Sequence, residues 1–113
     1  TTTLDNARCN GQVMVLPERL NVKKIYILAA SNHGDYNVTI GLDSNFYNMV
    51  INDWCKSPNG LAFDYRYIST GERQFITCGV SVYSIEVNNT VQKLTLPSEI
   101  NVHIFAITME LSN

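Results

Sequence analysis

Apolar and polar positions alternate with a period of two along most of this chain, and no stretch of about twelve residues repeats apolar side chains at i, i+3, i+4 and i+7. The pattern predicts strands and no amphipathic helix longer than a turn or two. Lys23 and Lys24 lead into the unbroken apolar block Ile25 to Ala30, whose β-branched and aromatic start favours a strand buried on both faces. Val38 to Leu42 alternates behind the turn-forming Asn32-His33-Gly34-Asp35, which together predict a β-hairpin. Phe46 to Ile51 is a further short strand, and Ser57-Pro58-Asn59-Gly60 is a loop. In Leu61 to Ile68, Phe63, Tyr65 and Tyr67 fall on one side with Asp64 and Arg66 on the other, the pattern of a half-buried strand. After the Thr70-Gly71-Glu72 turn, Phe75 to Val87 carries a long β pattern around a bulge or bend at Gly79. Val102 to Leu111 closes the chain as a strand whose phase is ambiguous at Phe105 and Ala106.

About eight short strands separated by Asn- and Gly-containing turns predict an all-β domain. A two-sheet antiparallel β-sandwich, jelly-roll or immunoglobulin-like, suits these strands better than an open sheet, which would leave one apolar face wet. Ile25, Ile27, Leu28, Val80, Val82, Ile104 and Ile107 are the expected core. An internal echo supports two equivalent entries into that core. Leu16-Pro17 and Leu96-Pro97 are each followed by two residues, an aliphatic (Leu20, Ile100), Asn-Val and a core strand. Proline lacks an N–H and so ends pairing where the chain crosses between sheets.

Composition narrows the partners. With 113 residues, 45% hydrophobic and 10% aromatic, the chain fits one domain with one core, residues 1–113. Eight Lys and Arg against ten Asp and Glu leave a charge of −2, which gives no basic field for nucleic acid or anionic lipid. The Ile25–Ala30 run is far shorter than the roughly 20 residues a membrane-crossing helix needs. A charged fraction of 16%, against about 25% in average domains, points to a polar, uncharged surface suited to uncharged ligands. The start, Thr1 to Asp5, lacks Met and any signal pattern, as in a mature chain or a domain excised from a longer one, and a secreted or cell-surface setting is the expectation. Cys9, Cys55 and Cys78 show no CxxC spacing, so they do not read as a zinc site; one bridge with one buried thiol and three free thiols both fit.

No catalytic motif or cofactor signature is present in the sequence, and no metal site is expected. Asp53, Asp64 and Glu72 could form a glycosidase-type carboxylate pair only as any few carboxylates could. His33 falls in a turn and His103 in a strand, without partners at ligand spacing. Binding of a neutral sugar needs an apolar ring face beside planar hydrogen-bonding groups. Trp54 with Asp53 offers that combination on a loop, and Tyr65, Arg66 and Tyr67 offer it on a sheet face. The competing readings are a core Trp54, half-buried tyrosines and a surface ion pair at Arg66.

Taken in order, several segments resemble the C-terminal β-sandwich domains of bacterial α-mannosidase-like glycoside hydrolases. These are Leu16-Pro17, Lys24 to Ser31, Asp53-Trp54, Tyr65-Arg66-Tyr67, Thr95-Leu96-Pro97 and His103 to Thr108, which together run from residue 11 to 110. In that family the place of Tyr65 and Tyr67 more often holds histidines flanking the Arg, so no ligand or metal role of those histidines carries over. The resemblance implies a non-catalytic accessory module of a carbohydrate-active protein. Its expected partners are a neutral oligosaccharide or, alternatively, a neighbouring domain or second copy, packed against the aromatic surface.

Overall fold

The computed structural model describes residues 6–56 and 58–112, so Thr1 to Asp5 and Ser57 of the predicted loop lie outside the described residues. Ten strands follow one another among the described residues, with no helix. They are β1 (Ala7–Arg8), β2 (Val13–Ser31), β3 (Tyr36–Leu42), β4 (Asn45–Ile51), β5 (Ala62–Phe63), β6 (Arg66–Tyr67), β7 (Arg73–Gln74), β8 (Cys78–Gly79), β9 (Ser81–Thr95) and β10 (Val102–Leu111). Six of them make one antiparallel sheet in the order β1-β10-β2-β9-β3-β4, while β5–β8 and β6–β7 are separate two-stranded ladders.

The antiparallel β-sandwich of the sequence reading is present, with its two layers built by a single sheet that curls over. Ile25, Ile27 and Ala29 of β2 point inward with Val102 and Ile104 of β10. Val38, Ile40 and Leu42 of β3, Ile51 of β4 and Val91 and Leu94 of β9 belong to the same core. Both layers rest on the β2–β9 ladder, which runs from Ala29↔Ser81 to Val13↔Thr95.

Irregularities in that ladder mark where the strands bend. Between Val15↔Lys93 and Leu20↔Val91, β2 carries Leu16 to Arg19 opposite Gln92 alone, and Pro17 sits in this excess. Nearer the middle, Val22↔Asn89 gives way to Lys24↔Glu86, so Val87 and Asn88 face Lys23; Asn88 absorbs the bulge at φ 49°. The Leu-Pro echo has a physical counterpart at its core end, because Val22 and Val102 are both fully buried. Its aliphatic members differ: Leu20 packs on the core, whereas Ile100 is half exposed.

Several expectations are corrected. The predicted hairpin joins β3 to β4 through Asp43 and Ser44, not β2 to β3; the His33–Gly34 turn instead carries the chain to the other layer. Residues 61–68 are not a half-buried strand. They split between β5 and β6, which pair in different ladders, and Phe63, Tyr65 and Tyr67 stay exposed because no layer of the described residues covers them. In the expected core, Ile25, Ile27 and Ile104 are buried, but Leu28, Val80 and Ile107 are only partly so and Val82 is exposed. Leu28 and Val82 are cross-strand partners on the outer face of the sheet, which explains both. The ambiguous phase in β10 is a bulge: Ile104 pairs with Ala29 and Ala106 with Leu28, leaving Phe105 as the extra residue.

Ile25→Ala is expected to cost about 2–5 kcal/mol in urea unfolding, since it empties a fully buried site, whereas Val82→Ala should cost under about 1 kcal/mol. Cys9 gives a pH test. Burial pushes its thiol from 9.0 up to about 11, so its protonated form is favoured in the folded state. Stability is therefore fully present below about pH 9 and falls as pH rises through about 11. Melting curves across this range should fall less steeply for Cys9→Ala than for the native protein; equal slopes would remove Cys9 as the cause.

Candidate functional site

Between the end of β4 and the start of β9 the chain leaves the sandwich and makes an excursion across residues 53–80. Asp53 opens it. Its carboxylate accepts hydrogen bonds from the Gly34 N–H at 2.9 Å and the Cys55 N–H at 2.9 Å, and its own N–H donates to Asp35 at 2.7 Å. Asp35 also pairs with Lys56, and that hydrogen bond, followed by the one from the Asp53 N–H, holds the Asp35 carboxyl below its usual range. Trp54 comes next, its N–H bonded to the Ser31 carbonyl at 2.8 Å and its carbonyl accepting from Gly79 N–H at 2.6 Å. The Trp54 backbone thus joins the end of β2 to β8.

A disulfide between Cys55 and Cys78 closes the excursion across a sequence separation of 23 residues, and Cys9 is the free, buried thiol among the described residues. Beside the bridge, backbones pack closely: Val80 N–H donates to Leu61 C=O at 2.8 Å and Gly60 N–H to Val80 C=O at 2.9 Å. Glycine is required here. A Cβ on Gly79 would run into the Leu61 carbonyl, and one on Gly60 would lie 2.6 Å from the Val80 carbonyl oxygen.

Two kinds of surface result. The first is an apolar cleft of about 270 Å³ between the excursion and the outer sheet face, walled by Leu28, Trp54, Leu61, Phe63, Val80 and Phe105. The β10 bulge supplies one wall, because the extra residue turns Phe105 outward next to Ala106. The second is an aromatic cluster on the β6–β7 hairpin, whose turn is closed by Ile68 N–H to Glu72 C=O at 2.9 Å with Gly71 at φ 87°. Tyr65 and Tyr67 meet edge to face at 5.7 Å, and Phe75 lies 6.4 Å from Tyr65. The Arg73 guanidinium stands 4.7 Å over Tyr65, and Arg66 stands 5.6 Å from the Trp54 ring centre. Arg66 is fixed there by hydrogen bonds to Gln74 at 2.7 Å and to the Cys55 sulfur at 3.2 Å.

Of the residues singled out from the sequence, Trp54 and Arg66 come together, as do Tyr65 and Tyr67. Asp53 lies at the root of the excursion with both carboxylate oxygens bonded to backbone. Trp54 is 37% exposed, with Arg66 near its ring and the cleft beside it. Tyr65 is exposed to the same 37% as Trp54, while Tyr67 is 61% and Phe75 80% exposed. Phe75, Arg73 and Gln74 were not singled out, since Phe75 reads as the first residue of a long strand; the turn at Thr70 to Glu72, which must bring residues 66–67 beside 73–74, was the available signal. His33 is exposed and bonded to Asn32, and His103 is bonded to Asn6. Among the described residues no three His, Cys, Asp or Glu side chains gather as a metal site would require.

Residues 1–113 match the family described as the AziU2-like beta-sandwich domain. The chain belongs to that family. No curated protein matches this member of it.

The thiol chemistry of this AziU2-like domain is open to direct assay. Denaturation without reductant should expose one reactive thiol per chain and denaturation with reductant three, while the native protein should expose none. Replacing Cys55 and Cys78 together by Ser should lower stability by about 2–4 kcal/mol and alter Trp54 fluorescence. An unchanged Trp54 signal would mean that the bridge does not hold the excursion in place.

Proposed function

We propose that this domain is a non-catalytic accessory module of a carbohydrate-active protein, and that it binds neutral glycans on the aromatic hairpin. One observation carries the reading: Tyr67 and Phe75 are the most exposed rings of the cluster, beside the planar hydrogen-bonding groups of Arg73 and the Arg66–Gln74 pair. A pyranose offers an apolar C–H face for such rings and hydroxyls for such groups. The resemblance of the ordered segments to the α-mannosidase-associated sandwiches supports a carbohydrate ligand in this reading. Trp54, Arg66 and Tyr65 act in this reading as the support that orients the hairpin, and Asp53 as the anchor of its root.

The apolar cleft favours a second reading, a surface packed against a neighbouring domain, because its walls present no group that could orient hydroxyls. One titration separates the two. A neutral oligosaccharide series should bind with a dissociation constant in roughly the micromolar-to-millimolar range, as one or two stacked rings support. Affinity should not change between low and high salt, because a neutral ligand releases no counterions. Tyr67→Ala or Phe75→Ala should weaken it at least about tenfold, the scale of one lost stacking contact, while Phe105→Ala should leave it unchanged. The absence of binding to any neutral sugar, or binding lost only with Phe105→Ala, would transfer the function to the cleft.

A further inference from the structure

At the far edge of the curled sheet lies β4, which among the described residues pairs with β3 alone. The β3–β4 hairpin closes at Leu42↔Asn45 over a two-residue turn, and such a closing pair exchanges both of its hydrogen bonds. Counting outward by twos, Asn45, Tyr47, Met49 and Ile51 bond to β3. Phe46, Asn48 and Val50 therefore direct their N–H and C=O groups away from the sheet. This edge carries none of the usual protections. Asn45 to Ile51 contains no charge, no proline and no bulge, and all seven residues are in register with β3.

We propose that β4 is a self-recognition edge, through which two copies of this chain pair antiparallel to join their sheets. The sequence is self-complementary about Asn48. A two-fold axis there places Asn48 opposite Asn48, and Phe46 of each copy opposite Val50 of the other. All three positions are outward-facing, so every one of these pairs exchanges both hydrogen bonds. A slip by one residue would set each outward group against one already bonded to β3. A slip by two would move the axis to Tyr47 or Met49 and keep only two of the three outward pairs. The side chains agree with the backbone: Phe46 and Val50 are 68% and 52% exposed, and an aromatic facing a β-branched residue is a favourable cross-strand pair. Phe46 is also held in place, since its ring lies over Gly41 on β3. The net charge of −2 opposes association only weakly. Because the contact is isologous, it closes at two copies.

The test does not depend on the glycan reading, because Asn48 and Val50, the edge residues it varies, are not part of that surface. Sedimentation equilibrium of the native domain, from roughly micromolar to millimolar concentration, should show the mass doubling and rising no further. Asn48→Lys, which brings two ammonium groups together at the axis and removes the hydrogen bond Asn48 accepts from Thr39, and Val50→Lys should both stay monomeric and folded, and unlike the native chain should melt at a temperature that does not rise with concentration. Hydrogen exchange identifies the edge directly. The amides of Phe46, Asn48 and Val50 should become protected as concentration rises in the native chain and stay fast in Asn48→Lys, while Tyr47 and Met49 stay protected in both. A native chain that remains monomeric throughout, a mass beyond the dimer, or a dimer that survives Asn48→Lys would each overturn the proposal. If Phe75→Ser abolished a dimer that both lysine variants retain, the contact would belong to the aromatic surface instead.

Discussion

The ladder between β2 and β9 is the interaction on which everything else in this domain depends. Strands of 19 and 15 residues are long for a chain of this size, and they run through both layers. Their inner ends, Ile25↔Ile85 and Ile27↔Tyr83, carry the layer shared with β10, and their outer ends, near Leu94, meet β3. A slip of one residue anywhere along it would exchange the inward and outward faces of both layers at once. The two irregularities at Leu16 to Arg19 and at Asn88 let the strands bend without losing that registry. Asp43 reinforces the far end: backbone N–H groups of Lys93 and Gln92 and the Arg19 guanidinium all bond its carboxylate, with the Lys93 bond the largest influence keeping it ionised.

With the inner face fixed in this way, the outer face of the β10–β2–β9 layer is free to vary, and there the excursion attaches. It adds little buried surface of its own. Its rings stay exposed, and its shape is imposed by a bridge, by backbone contacts at Gly60 and Gly79, and by the Asp35–Asp53–Ser31 bonds at its root. Such a segment is held by constraint and not by a core. That is why its aromatic residues remain available for contact with something else.

What the sequence revealed and what it concealed follow from one distinction. Alternation reports which side chains share a face, and with the apolar run at 25–30 it identified the strands at 25–30, 38–42, 46–51 and 102–111 together with their antiparallel sandwich. It does not report what covers that face. The alternation of Phe63, Tyr65 and Tyr67 therefore looked like burial, and Val82 looked like core, although one lies on an uncovered excursion and the other on an outer face. Pairing partners are non-local as well. The Asn32–Asp35 turn was visible, but whether it made a hairpin or a crossing depended on β9 already occupying the place beside β2. An odd number of cysteines left the bridge undecided until Cys55 and Cys78 were brought together by the ends of the excursion. The doubtful phase at Phe105 was informative, since hesitation between two alternations is what a bulge looks like in one dimension.

Closing the excursion at its two ends also separates its inheritance from that of the sandwich. Everything from Lys56 to Thr77 is bounded by a bridge held against the scaffold through the Trp54 backbone, so insertions at its outer turn, Thr70 to Glu72, change neither the registry of β2 and β9 nor the inner packing. The entropic cost of a longer loop grows slowly, about 0.6 kcal/mol for each doubling. Related chains can therefore carry excursions of quite different length and side-chain content on the same sandwich, much as a tool holder accepts interchangeable heads. In such a lineage the scaffold would diverge slowly and the cassette between the two cysteines quickly.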